Sequence, residues 1–400
     1  MAVAATPRPL WSVGPVVADD DYVKVLHLFL PLLLTALGLP YGFLLYALRL
    51  RGAEFLRFGK FHATCFLVAL AVFVGIPRLL KELKEKGLCG KNLNQREGTD
   101  RVPEPGSLWA CAIYLLFLFV AKLACPVQLD HPLYDAALAF VGCMVLLGLV
   151  DDVVPLGLLA KVVTTLVAVV PLCMMLDADK KLVAAVMKPF LGKKAGDALW
   201  AYYVGAALLA TFFANAINIH AGINGLEVGE SLIIACFVLA RCAFGIAKYK
   251  ASADSRKVLL KELLFSVRLT LPFVAVSVPL LSHNWFPASL FVGNVYTALA
   301  GAVFAAVAAL CHCHRFMLAM FVPQAINFLL SVPQLLGIKH CPRFRGPRYN
   351  YKTRLLEYTD NYTLLNAILR VFGPMTELKL CVYCLVFQFV CCLVGFLLHL

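Results

Sequence analysis

Three groups of side chains in this chain have the types and spacing to do chemistry, and each sits at the edge of an apolar run. Asn215, Asn218 and Asn224 lie within residues 211–230, TFFANAINIHAGINGLEVGE, among Gly222, Gly225 and Gly229 and beside Glu227 and Glu230. An amide at membrane depth is costly unless it is paired, so the cluster either lines a cavity or bonds helices together where small residues let them approach. The residues alone leave both readings open. Asp151 and Asp152 end another apolar run, LLGLVDDVVPLGLLAK at 146–161. Adjacent carboxylates at a membrane-helix C-terminus repel each other and oppose the helix dipole, which a cation such as Mg²⁺ explains better than ordinary helix-end charge. Arg343, Arg345 and Arg348 form the third group. They fit a positive loop beside a membrane, and equally guanidinium forks that grip phosphate.

The elements that must position these groups are membrane helices. Of 400 residues, 62% are hydrophobic and 15% are charged, too apolar for a soluble domain of this length. Runs near 26–48, 62–80, 107–125, 135–150, 158–176, 198–217, 228–247, 269–282, 288–310, 316–337 and 379–399 approach the roughly 20 residues a span needs. This predicts an all-α polytopic membrane protein of about 10–11 transmembrane helices, with Pro272 and Pro279 interrupting one run. The first run is too long for a signal-peptide core, so residues 1–59 form a tail and an added helix before a multi-span domain at 60–400. The net charge of +13 comes from Lys and Arg in loops beside spans, which suits lipid headgroups or a phosphorylated substrate and argues against nucleic acid. Most of the 15 cysteines fall within spans as small apolar residues, and Cys-His-Cys-His at 311–314 lacks the spacing of a zinc site. The charged segments 177–197 and 248–268 carry no motif and are expected as loops on the face opposite the polar groups.

Residues 215–227, NAINIHAGINGLE, closely resemble the asparagine-rich signature of the polyprenyl-phosphate N-acetylhexosamine-1-phosphate transferases, with His220 at its variable position. The match is to the eukaryotic branch that uses dolichyl phosphate and UDP-N-acetylglucosamine (UDP-GlcNAc). Further stretches match the family's pattern. On charge alone, residues 78–106 are a solvated membrane-flanking loop, but Lys91, Asn92, Leu93 and Glu104 match positions that cradle the uridine nucleotide. Asn92 stands where Asp is usual, and Pro105 interrupts the second half of that motif. Asp151, Asp152 and Lys161 match the Asp-Asp motif and its phosphate-contacting Lys, although Pro155, Gly157 and Leu159 replace polar or basic residues. Residues 291–294, FVGN, resemble Phe-Val-Gly-Asp, whose Asp is a magnesium ligand; here it is Asn294. Cys-Pro-Arg-Phe-Arg at 341–345 matches the segment that holds the sugar-nucleotide diphosphate, with Phe344 where His is common.

The resemblance implies transfer of GlcNAc 1-phosphate from UDP-GlcNAc to dolichyl phosphate, giving GlcNAc-diphospho-dolichol and UMP, at the endoplasmic reticulum membrane with the site facing the cytosol. It assigns Asp151 and Asp152 to orienting or activating the acceptor. Asn218 and Asn294 would hold Mg²⁺, and Lys161, Thr211, Asn215 and Asn218 the lipid phosphate. Asn224, Lys91, Asn92, Leu93, Glu104, Arg343, Phe344 and Arg345 would take the nucleotide sugar. A homodimer or partner glycosyltransferase subunits are the assemblies it leaves open. Counting from the span at 62–80, the polar motifs follow the first, third, fifth, seventh and ninth helices, so all five loops fall on one face. That one-sidedness suits an enzyme with a single membrane-embedded mouth and separates it from a transporter, which would need a gate on the other face. Asn294 and Pro155 keep a second alternative in view, a catalytically impaired homologue that binds substrates or a partner subunit.

Overall fold

The computed structural model describes residues 52–94, 101–124, 132–176, 199–249, 257–342 and 344–399. The expected helix at 26–48, the segment 177–197 and Arg343 lie outside them. The helices are α1 Gly52–Glu85, α2 Leu108–Ala124, α3 Pro132–Val153, α4 Leu158–Met174, α5 Leu199–His220, α6 Leu226–Tyr249, α7 Lys257–Asn284, α8 Gly293–Leu310, α9 His314–Met320, α10 Val322–Leu335, α11 Leu364–Phe372 and α12 Glu377–Leu398. Two antiparallel hairpins decorate the loops: β1 Cys89–Lys91 with β2 Arg101–Pro103, and β3 Arg348–Asn350 with β4 Leu355–Glu357. Among the described residues, seven helices are long and apolar enough to cross a membrane. The bent pair α9–α10 makes an eighth, and α2 and α4 are shorter apolar helices. This is the all-α polytopic membrane protein that the apolar runs predict.

Two expectations are corrected. Pro272 and Pro279 do not interrupt a span, because α7 continues through both. Proline inside a membrane helix is tolerated when its neighbours hold the helix in place, and the Tyr114 hydroxyl of α2 donates to the Leu269 carbonyl in the turn before Pro272. The segment 248–268 is not a loop throughout either. Residues 257–268 form the start of α7, where Leu263, Ser266 and Val267 recur at helical spacing and are buried.

Helix α8 is the axis of the bundle. Every residue from Val295 to Leu310 is buried, and α3 and α5 are its main neighbours. In lipid there is little hydrophobic gain from helix contact, so close packing of small residues has to hold such a helix. A methyl group at Gly301 would lie 2.5 Å from the Phe213 carbonyl on α5, and one at Gly148 of α3 would lie 2.6 Å from the Asn294 carbonyl. α9 and α10 meet at Phe321 with a 72° bend, where Pro323 fits the first turn of α10 but could not continue α9. The bend frees the Met320 carbonyl, which accepts from Gln388 Nε2 at 2.8 Å.

Substituting Gly301→Ala or Gly148→Ala should each lower stability by about 1–3 kcal/mol through overpacking. Gly142→Ala on α3 meets nothing within 4 Å and should be neutral or slightly stabilising. Thermal unfolding in detergent distinguishes the three, and equal losses at all three positions would rule out close packing as the cause.

Candidate functional site

Five loops converge at one end of the bundle on a cavity of about 490 Å³. They follow α1, α3, α5, α7 and α10, in the alternation that the motif positions predict. The cavity is lined by Lys91, Asn92, Leu93, Glu104, Lys161, Asn218, Asn224, Asn294, Phe344 and Arg345. Asp151, Asp152, Thr211 and Asn215 stand behind that lining.

The chain zips its loops together with backbone bonds. Gly106 N–H donates to the Phe291 carbonyl at 2.7 Å and Phe291 N–H to the Pro103 carbonyl at 3.0 Å. Ser107 Oγ donates to the Val292 carbonyl at 2.5 Å. These bonds set the Glu104 loop against residues 291–294. Asn92 is buried, and its Oδ1 accepts from Asn94 N–H at 3.1 Å. An Asp oxygen could accept the same bond, so either residue type can hold this turn.

The two aspartates are compensated by the protein itself. Asp151 pairs with Lys161 at 2.6 Å and accepts from Leu156 N–H at 2.9 Å. Asp152 reaches across to the amino end of α8, accepting from Asn294 N–H at 2.7 Å and Val295 N–H at 3.1 Å. It thereby acts as the N-cap of a helix to which it does not belong. Asn215 donates to the Thr211 carbonyl at 2.9 Å and to Thr165 Oγ1 at 3.4 Å. Thr165 Oγ1 in turn donates to the Lys161 carbonyl at 2.7 Å. Asn215 thus braces α5 against α4 beneath Lys161, and neither it nor Thr211 lines the cavity.

Asn218 Nδ2 donates to Asn294 Oδ1 at 2.7 Å, so the two expected metal ligands are adjacent. A hard cation takes oxygen ligands and favours carboxylates. The pair offers amide oxygens only, and among the described residues no group of three or more His, Cys, Asp and Glu is placed to hold a metal. The surroundings are nevertheless acidic. Burial pushes the Glu104 carboxyl up to about 7, and the Asp152 carboxylate adds to the shift. Two amide oxygens in an acidic setting would suit a hard cation that takes its other oxygen ligands from elsewhere.

Two cavity donors have no acceptor, because both Asn224 Nδ2 and Arg345 Nη1 are buried without a partner. The loop bearing Asn224 is held by residues that the motifs do not identify. Glu377, buried at the head of α12, accepts from Asn224 N–H at 2.8 Å and from Asn94 Nδ2 at 3.2 Å. Asn284 Oδ1 accepts from Gly225 N–H at 3.1 Å, where φ is +84° and glycine is favoured. Asn327 Nδ2 donates to the Ile219 carbonyl at 2.9 Å. Glu377 and Asn284 give the signal Asn218 gives, a polar residue at the edge of an apolar run, and Asn327 is a polar residue inside one.

A bundle with a one-ended polar mouth, a carboxylate pair and unpaired donors defines a membrane-embedded enzyme class, and comparison with known proteins makes it specific. The profile of glycosyl transferase family 4 matches residues 135–312, the stretch from the aspartate pair through Asn294. The UDP-N-acetylglucosamine–dolichyl-phosphate N-acetylglucosaminephosphotransferase of Dictyostelium discoideum is 34% identical over 352 residues, covering 83% of this chain and 86% of that protein. The protein of the same name from Saccharomyces cerevisiae is 32% identical over 394 residues, covering 80% of this chain and 86% of its own length. A third from Schizosaccharomyces pombe is 32% identical over 326 residues, covering 74% and 71%. The chain belongs to glycosyl transferase family 4.

The Glu104 shift has a sign that can be tested. Because its carboxyl is raised to about 7 from an ordinary 4.5, the fold favours the neutral form, and that contribution is lost as pH rises through this window. In a chelating buffer, the thermal stability of Glu104→Gln relative to wild type should therefore rise between pH 5 and pH 8. A pH-independent difference would rule out the buried carboxyl as its source.

Proposed function

We propose that the chain transfers GlcNAc 1-phosphate from UDP-GlcNAc to dolichyl phosphate in the endoplasmic reticulum membrane, with the cavity open to the cytosol. The observation that carries this reading is the pair of buried donors without acceptors, Asn224 Nδ2 and Arg345 Nη1, in a cavity also lined by Lys161. Such a mouth suits a ligand rich in acceptor oxygens, and the family and the names of its similar members narrow that ligand to a nucleotide sugar and a lipid phosphate.

In this reading a phosphate oxygen of dolichyl phosphate attacks the β-phosphorus of UDP-GlcNAc. The bond to the bridging oxygen breaks, and that oxygen leaves with UMP. Phosphoryl transfer of this kind needs positioning and charge neutralisation more than covalent help from the protein. Arg345 binds the diphosphate, joined by Arg343 in the same segment, and Phe344 lines the same cavity. Asn224 takes the uridine end, with Glu377 holding its backbone, while Lys91, Asn92, Leu93 and Glu104 close the nucleotide's other side. Lys161 meets the lipid phosphate, with its ammonium aimed by Asp151 and its backbone braced through Thr165, Asn215 and Thr211. Asp152 fixes the head of α8, which keeps Asn294 opposite Asn218. Those two side chains would hold Mg²⁺, which supplies charge neutralisation on the diphosphate.

Purified protein should transfer label from UDP-GlcNAc to dolichyl phosphate in a Mg²⁺-dependent manner. Lys161→Ala should lower turnover by on the order of 100-fold, the usual cost of removing one group that stabilises developing charge. Asn294→Asp, by adding a carboxylate to the metal site, should reduce the Mg²⁺ concentration required for half-maximal rate. No transfer by wild type or Asn294→Asp, despite measurable UDP-GlcNAc binding, would overturn the proposal in favour of a binding protein that has lost catalysis.

A further inference from the structure

A second cavity, of about 690 Å³, opens on the same end of the bundle, between the C-terminal end of α10 and the segment that leads into α11. It lies outside the chemistry above, although Thr363 lines both cavities. Its walls are built rather than incidental. Gln334, buried at the end of α10, donates to the His340 carbonyl at 2.9 Å and to Asn361 Oδ1 at 3.0 Å, and accepts from Tyr362 N–H at 2.9 Å. Asn366, also buried, accepts from Thr359 N–H at 2.7 Å and donates to the Arg345 carbonyl at 3.1 Å. With these bonds Gln334 and Asn366 fix the walls of the cavity.

Two features of the mouth define what would enter. The first is charge: Lys339 and Arg370 line the cavity and neither forms an ion pair with a described residue, while Asp360 is the one carboxylate in the lining. The second is position. The α9–α10 span ends at Leu335 and the α12 span begins at Glu377, so the cavity lies where two helices leave the membrane. Leu336, Ile338, Val371 and Phe372 beside those helix ends are 70%, 71%, 75% and 61% exposed, an apolar fringe that water would penalise and acyl chains would cover. Tyr358 and Tyr362, exposed in the lining, are residues that favour the headgroup level.

From this combination we propose that the cavity is a binding site for the phosphate headgroup of an anionic bilayer phospholipid. The headgroup phosphate sits between Lys339 and Arg370, and its acyl chains descend over Leu336, Ile338, Val371 and Phe372. Neither cation belongs to the machinery assigned above, and occupancy can be measured without any transfer reaction, so this proposal and the proposed activity can fail separately.

The test uses the full chain in nanodiscs of phosphatidylcholine containing a minority of phosphatidylserine, followed by re-extraction in detergent and mass-spectrometric counting of retained lipid. Phosphatidylserine should be enriched over its bulk ratio. Lys339→Gln with Arg370→Gln should reduce that enrichment by about fivefold per cation removed, the usual worth of a basic side chain at an anionic surface, with thermal unfolding unchanged. The wild type gives a second readout that needs no variant, since the enrichment should fall as ionic strength rises. Retention at the bulk ratio, or undiminished enrichment in the double variant, overturns the proposal. Displacement of phosphatidylserine by dolichyl phosphate at equal mole fraction would also overturn it, by assigning the cavity to the acceptor lipid.

Discussion

The bond between the Asp152 carboxylate and the first N–H groups of α8 is the interaction on which the rest of the site depends. Helix α8 is buried along its length, so its unpaired amino-terminal N–H groups have little access to water and need a protein acceptor. Asp152 supplies it through both oxygens, and its negative charge meets the positive end of the α8 dipole. One contact thereby satisfies two helix ends that would each be unfavourable alone, a carboxylate at the C-terminus of α3 and free N–H groups at the head of α8. It also fixes the height of α8 against α3, where Gly148 leaves room for the Asn294 backbone. Asn294 faces Asn218 because its main chain is held from the other side.

A second polar chain runs through the bundle below the cavity. His220 Nδ1 lies 2.7 Å from Glu230 Oε2. Gln324 Nε2 donates to that same oxygen at 2.9 Å and to Gln388 Oε1 at 2.7 Å. Gln388 then donates to the carbonyl freed at the α9–α10 bend. Buried polar groups are expensive unless linked, and a linked chain fixes geometry that apolar packing leaves free to slide. Here it ties the end of α5, and so the loop carrying Asn224, to α6, α10 and α12. The bend and the cavity floor are held by one set of bonds.

The spans and their order are legible in the sequence because apolar length is a direct requirement of the bilayer, and the convergence of five loops follows from alternation. Lys161, Asn218, Asn224 and Asn294 are legible as well, since polar side chains at the edges of apolar runs demand partners. What the residues conceal is which partner they have. Asp152 answers to backbone N–H groups, and a backbone partner leaves no mark on residue type. Glu377 serves Asn94 and Asn224 across 283 and 153 residues of chain, separations that no local pattern encodes. The start of α7 reads as a charged loop because its polar face is the conspicuous one, while Leu263 and Val267 mark the buried face only at helical spacing.

Asn294 stands where the motif that residues 291–294 resemble has a carboxylate, and its place in the fold is set by its main chain. The structural work at this position is done by the backbone N–H, which any residue but proline provides, so the side chain is free to differ. An amide here bonds to Asn218 with no net charge. A carboxylate would instead add a third acid to a site that already holds Asp152 and Glu104, where burial and the Asp152 charge raise the Glu104 carboxyl to about 7. The amide therefore places one charge fewer at the head of α8 than a carboxylate would, and leaves the contact with Asn218 an uncharged one.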